Sequence, residues 1–353
     1  VSALLSPLRL RSVRTRNRAW VSPMCQYSSR DGHPTDWHLA HLGSFARGGA
    51  GLVMAEATAV APEGRISPAD AGLWSDAQVD GYRRITTFVA AQGAVPAIQL
   101  AHAGRKASTH VPWEGRGPVP AEAGGWPTVA PSEQAYADWP VPRALTLDEI
   151  GQVVGAFGHA AHRAHEAGFV VAEVHAAHGY LLHEFLSPLS NHRSDAYGGS
   201  LENRARLLLE TVAAVRAAWP ADRPVLVRLS ATDWVEGGWT LEQTVAVSRW
   251  LAGLGVDLVD VSSGGLDPRQ QVPAGPGFQV PFARAVRDEA GVPTAAVGLI
   301  TEPQQAEEIV ASGAADAVML GRVMLRDPHW PLRAADALGA EVRWPPQYLR
   351  ARW

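Results

Sequence analysis

The chain carries a single cysteine, Cys25, in 353 residues. One thiol excludes an internal disulfide framework and a cysteine-ligated iron–sulfur cluster. No apolar run approaches the ~18 residues of a membrane-spanning helix. Basic blocks are missing too, and the formal charge is −4, which argues against nucleic acid as the main partner. The stretch VSALLSPLRLRSVRTRNR lacks a long apolar segment before a small-residue cleavage site, so no leader is expected. No G-x-G-x-x-G follows the first strand-like run, which leaves an open dinucleotide-binding sheet without support. A reduced cytoplasmic enzyme is the expectation, with 46% apolar residues to build a large core.

What is present is alternation. Residues 4–20 alternate apolar with basic or polar side chains around Asn17, the pattern of a small hairpin closing one end of a barrel. Eight strand-like runs follow: AWVSPMCQY, GLVMAEATAV, VPAIQLAHAG, the run from Val170 to Val174, PVLVRLS, DLVDVSSGG, PTAAVGLI and AADAVMLGR. Helix signals lie between them. Thr35 caps a helix stopped by Gly48-Gly49, and Ser75 caps the next. Capping boxes stand at Thr146/Glu149 and Thr240/Gln243. Another helix begins near Ser200, and one from Pro281 stops at Gly291. Thr301 with Pro303 opens the seventh, and the last lies near His329–Leu338. Apolar strands alternating with helices imply a parallel sheet covered on both faces. Eight repeats predict an α/β protein, a (β/α)8 TIM barrel with residues 1–353 as one unit. The pattern breaks after strand three, where residues 108–143 hold seven prolines and three tryptophans. A long unpatterned segment of this kind is expected as structural cover or a substrate lid on the active face.

Barrel enzymes place their chemistry at the carboxyl ends of the strands. Strand one ends in Ser22, Pro23, Met24 and Cys25, with Tyr27 beyond. Strand two carries Ala57, strand three Gln99 and strand five Arg228. Strand four ends in His175, His178 and Tyr180, three side chains able to hold or move protons. An arginine inside a barrel strand is costly unless it meets an anion or acceptors. Gly298 and Gly321-Arg322 follow strands seven and eight, where barrels commonly bind phosphate through backbone N–H groups. Each feature also has a plainer origin. His38 and His41 repeat the His-x-x-His spacing, and a lone cysteine is often an inert core residue. Glu173 shares a face with His175, which leaves a metal site open.

The stretch HAAHGYLLHEFLSPLSNHRSDAYGGSLENRAR, with SPMCQY, GLVMAEATAV, IQLAHAGRKA, GPGFQVPFA, AVGLI and MLGR, resembles the Old Yellow Enzyme family of FMN-dependent ene-reductases. The resemblance covers nearly the whole chain and is nearest the branch of bacterial xenobiotic reductases and thermophilic-like enzymes. It implies that Ser22 to Cys25 line the flavin, with Cys25 tuning its potential. Ala57 and Gln99 would hydrogen-bond the pyrimidine side, and Arg228 would sit by N1 and C2=O. Gly298, Gly321 and Arg322 would hold the phosphate. His175 and His178 would grip the substrate's oxygen, Tyr180 would donate the proton, and Tyr27 would border the substrate. In that branch a C-terminal arginine enters the neighbouring subunit's site, which implies a homodimer or homotetramer. Here Arg350 matches by position within the tail 339–353, and Arg352 is extra.

The expectation is therefore an NADPH- or NADH-dependent reductase of activated alkenes such as enones, enals and maleimides, with nitro compounds also open. Hydride from flavin N5 and a proton from Tyr180 would give net trans addition. A metal-dependent barrel hydrolase using His175 and His178 is the rival, and a non-catalytic flavin-binding protein is a second.

Overall fold

Successive residues of a strand face opposite sides, and in this chain both sides are covered. The computed structural model describes residues 2–352. Its eight barrel strands are β1 (Ala19–Val21), β2 (Leu52–Ala59), β3 (Val95–Ala101), β4 (Val171–Ala176), β5 (Val225–Ser230), β6 (Leu258–Ser262), β7 (Thr294–Val297) and β8 (Ala317–Leu320). Each pairs in parallel with the next, and β8 closes the ring on β1. The barrel expected from the sequence is thus the fold observed.

Helices follow the strands and bury one face each against them. Leu147–Glu166 shows why. Thr146 and Glu149 cap its start reciprocally, and Ile150, Val153, Phe157, Ala160, Ala161 and Ala164 form its buried stripe. Removing the Phe157 ring would cost about 3–5 kcal/mol on general grounds. Thr35 and Ser75 cap as expected, each in a reciprocal box. Ser200 caps Leu201–Ala218. At Thr240 only the forward half forms: Gln243 N–H donates to the hydroxyl, while Gln243 Oε1 has no partner. The helix Pro303–Ala311 is preceded by Glu302 at the cap position, not Thr301. Thr301 instead lends its carbonyl to the Trp330 indole.

The expected hairpin closes the amino end. Leu8–Leu10 pairs with Val13–Thr15, and Arg11 takes the left-handed turn conformation. Asn17 is buried and ties the chain into β1, donating to Gly49 O and accepting from Ala19 N. Leu10 plugs the barrel floor against Trp20, Leu52, Ala97, Val171, Leu226 and Leu258. Among the described residues no helix is long and apolar enough to cross a membrane.

Candidate active site

Inward positions change character with height in the barrel. On β4, Val171 belongs to the apolar floor, while Ala172, Val174 and Ala176 face the helices. Alternation then turns Glu173 and His175 inward. The same step of two places Gln99 above Ala97, Arg228 above Leu226, and Asp260 above Leu258. Ser230 and Ser262 stand one step higher. The interior therefore runs from an apolar floor, through an ionic layer, to a hydrogen-bonding rim.

The ionic layer is tightly paired. Arg228 is 4% exposed. Its Nε donates to Asp260 Oδ2 at 2.5 Å, and its Nη2 donates to Ser22 Oγ at 2.9 Å. Gln99 Nε2 donates to Glu173 Oε1 at 2.8 Å. Asp260 and Glu173 were not singled out for this role from the sequence. The available signal was ionisable residues at inward positions of apolar strands, which burial makes expensive unless they are paired.

Above this layer the three proton-handling groups come together. The His175 and His178 ring centroids lie 5.2 Å apart, nearly perpendicular, and Tyr180 packs edge-on 5.0 Å from His175. Ala177 N–H donates to His175 Nδ1, so His175 Nε2 carries the proton. His178 Nε2 pairs with Ser262 Oγ at 2.7 Å. The Ser262 hydroxyl also lies 3.5 Å from Gln279 Oε1, and a hydroxyl can donate or accept; when it donates to His178 Nε2, Nδ1–H is the imidazole's free donor. Burial holds both imidazoles well below their usual pKa, with neighbouring positive charge adding to the effect, so both are neutral at pH 7. Burial likewise pushes the Tyr180 phenol well above its usual value, so it keeps its proton.

His178 adopts a left-handed backbone at φ 59°. Its N–H donates to Ser230 Oγ, and Lys106 Nζ donates to both His178 O and Gly265 O. A Cβ on Gly265 would overlap the His178 backbone, so the glycines after β6 permit this close approach. Lys106 is the chain's only lysine. Burial lowers its pKa to about 8, and its ammonium lies 5.2 Å from the Tyr180 ring centroid. Lys106, Ser230 and Ser262 escaped the sequence reading because their spacing from His178 carries no local signal.

The segment from Ser22 to Tyr27 lines the same rim. Ser22 is buried, and Pro23, Met24, Cys25 and Tyr27 are half-buried. A bulge in β2 at Glu56 shifts the register so that Ala57 stands opposite Gln99. Glu56 turns away, accepts from Gln26 N at 2.8 Å and meets His38 Nε2 at 3.1 Å. Burial raises the Cys25 thiol well above its usual pKa, with Asp70 and Glu56 adding to it, so the sulfur is not a thiolate. Tyr27 meets Trp113 of the insertion edge-on at 5.9 Å. Tyr136, also of the insertion, stacks over the Lys106 ammonium at 4.9 Å. A cavity of about 730 Å³ opens within the insertion itself, and no rim residue borders it.

Gly298 has φ 121° at the end of β7, and Leu299 follows at φ 50°. Gly321 follows β8 directly, and a Cβ there would come 3.9 Å from Met24 Sδ. Arg322 is exposed beside it. Arg350 does not join the rim. Its tail is docked by a 2.7 Å bond from Arg47 Nη1 to Tyr348 Oη. Arg47 ends the helix that leaves β1 at the rim, so this contact lies toward the opposite end of the barrel. Among the described residues no group of three His, Cys, Asp or Glu side chains is placed to hold a metal ion.

A parallel barrel whose rim gathers two neutral imidazoles and a phenol over a paired arginine is the scaffold of an enzyme that handles protons and developing negative charge. The family described as NADH:flavin oxidoreductase / NADH oxidase matches residues 3–341, and the chain belongs to it. An NADPH dehydrogenase of Halalkalibacterium halodurans is 46% identical over 350 residues, covering 99% of this chain and 98% of that one. Morphinone reductase, solved in complex with tetrahydroNAD, shares the fold with a TM-score of 0.78 at 30% identity, covering 98% of this chain and 93% of its own. An Old Yellow Enzyme homologue from Zymomonas mobilis gives 0.79 at 28% identity, covering 99% of both chains. The chain is an enzyme, an NAD(P)H-dependent flavin oxidoreductase of the Old Yellow Enzyme type, with FMN as cofactor. The residues present fit that cofactor. Arg228 is a fixed cation for an electron-rich pyrimidine edge, and Gln99 is an amide held beside it. Gly298 and Gly321 leave the backbone bare at the ends of β7 and β8, neighbouring strands of which β8 adjoins β1.

Proposed function

We propose that the enzyme reduces the C=C bond of activated alkenes, namely enones, enals and maleimides, and accepts nitro compounds at the same site. The observation that carries this reading is the packing of His175, His178 and Tyr180 into one cluster above the Arg228 layer. FMN supplies hydride chemistry there, replenished by NAD(P)H. Ser22 to Cys25, Ala57, Gln99 and Arg228 would hold its ring, and Gly298, Gly321 and Arg322 its phosphate.

His175 through Nε2–H and His178 through Nδ1–H donate to the substrate's carbonyl or nitro oxygen. Both donors are neutral and fixed, so they stabilise negative charge that grows on that oxygen without reorganising. Losing one such donor costs about 2–4 kcal/mol of barrier. Tyr180 keeps its proton until the carbon next to the carbonyl becomes basic, and then supplies it. Lys106 beside the phenol favours the phenolate left behind. Cys25, as a neutral thiol, tunes the flavin rather than attacking substrate.

The insertion 108–143 roofs the substrate side. Trp113 on Tyr27 and Tyr136 on Lys106 support that placement. The described part of the tail, residues 339–352, is held away from its own rim, which favours Arg350 serving the site of a second copy in a homodimer or homotetramer.

Stopped-flow spectroscopy tests the reading. The yellow protein should bleach with NADPH and regain its colour on adding cyclohexenone. A bleached enzyme that only oxygen reoxidises would defeat it. Stoichiometric zinc or iron in a colourless preparation would favour the hydrolase instead.

A further inference from the structure

The ionic layer holds more carboxylate than its one arginine can pair. Glu173 and Asp260 are both fully buried. Asp260 takes the close contacts of the guanidinium through Oδ2, at 2.5 Å. Glu173 Oε1 is 3.9 Å from Arg228 Nε and is engaged by Gln99. One oxygen remains on each acid, Glu173 Oε2 and Asp260 Oδ1, buried and without a donor. Two ionised carboxylates with bare oxygens in a dry interior are a costly arrangement.

A single proton resolves it. Glu173 on β4 and Asp260 on β6 flank Arg228 on β5, and the two carboxyls converge on its guanidinium at 3.9 and 2.5 Å. A proton on Glu173 Oε2, donated to Asp260 Oδ1, gives both bare oxygens a partner. It also brings the formal charge of Glu173, Asp260 and Arg228 to zero. We propose that Glu173 and Asp260 share one proton, and that this dyad is the positioning element that sets Arg228 and Gln99 under the flavin's pyrimidine side. The site is new beside the residues that touch cofactor, and it does not depend on which alkene is reduced.

The placement of the proton follows from the partners. Asp260 has the arginine, so Glu173 is the acid of the pair. Burial raises Glu173 to about 8, with the Asp260 charge adding to it and Arg228 and Gln99 opposing. Asp260 is also raised by burial, with Arg228 opposing. The charged groups facing Glu173 are Asp260 on β6 and Arg228 on β5. His175 stands above it on β4, and Gln99 on β3 and Ser22 on β1 are neutral. With the proton in place, no uncompensated negative charge lies beneath the flavin. When it leaves, near pH 8, a carboxylate opposes the negative charge that two-electron reduction brings to N1. The reduction potential should then fall more steeply with pH.

Spectroelectrochemical titration of the holoenzyme and of E173Q, with infrared spectra in H2O and D2O, tests this. The amide in E173Q offers the same donor to Asp260 and the same acceptor to Gln99 as the protonated acid. E173Q is expected to fold, to retain FMN, and to match the wild-type potential below neutral pH. It should lose the steepening near pH 8 and one D2O-sensitive carboxylic-acid band. Bands from other raised carboxyls, Asp70 and Glu184, should remain. A potential that rises in E173Q at neutral pH would overturn the proposal, because that is the effect of deleting an ionised carboxylate. An unchanged band pattern would overturn it, as would an E173Q protein that fails to fold or to hold flavin.

Discussion

His178 Nε2 stands 2.7 Å from the Ser262 hydroxyl, although 84 positions separate them in the chain. The bond couples the His178 tautomer to the Ser262 hydroxyl, and with the hydroxyl donating, Nδ1–H is left for a substrate. Ser262→Ala removes one hydrogen bond worth about 0.5–1.5 kcal/mol. Reoxidation of the reduced enzyme by an enone should slow by about two- to tenfold. Flavin content should be unchanged. Equal rates in the two proteins would deny Ser262 this part.

Tyr180→Phe keeps the ring that packs on His175 and deletes the proton. Alkene reduction should fall by about 10²–10⁴-fold, the usual worth of a general acid. Flavin reduction by NADPH needs no such proton and should be nearly spared. Measuring the two half-reactions separately decides the matter, since equal slowing of both contradicts the assignment.

Cys25→Ala should shift the flavin midpoint potential while the fold survives, because the residue borders the site and is not part of the apolar core. The thiol is held neutral by burial and by acidic neighbours. Iodoacetamide should accordingly label it slowly at pH 7. Rapid labelling, or an unmoved potential in the variant, would refute this account.

Acid should act on stability before it acts on the two histidines as ligands. Both have depressed pKa values, from burial first and then from nearby positive groups. An unfolded histidine takes up a proton near 6.5, while these two in the native state do not. Their contribution to stability is present above about pH 6.5 and is lost as pH falls toward the native values. Thermal melting should therefore drop on acidification below 6.5, with enone affinity flat down to about pH 6. An affinity that titrates at 6.5 would show that the rings are not held neutral.

Thr146→Ala removes a reciprocal cap exposed on the outer layer of helices. Urea denaturation should show a loss of about 1 kcal/mol. Turnover should be unaffected, and a change in turnover would mean that the helix Leu147–Glu166 is coupled to the site.

Much of this molecule was legible in the linear chain. Caps at Thr35, Ser75, Thr146 and Ser200, glycine stops and apolar runs are local signals, and they delivered the eight-fold alternation. The identities of His175, His178, Tyr180 and Arg228 also stood out, because proton-handling or charged groups are costly in apolar strands. Asn17 shows the limit of local reading: its amide oxygen accepts from Ala19 N two residues on, while its amide nitrogen reaches Gly49 O from a distant stretch.

Local pattern thus determined the barrel and named the residues at its mouth, since hydrophobic period and capping act over a few neighbours. Tertiary structure alone decided their partners. Ser262 for His178, Asp260 for Arg228, Glu56 turned outward at a bulge, and Lys106 clasping two carbonyls all depend on strand register. Register is set by closing the whole ring, so no short stretch of sequence contains it.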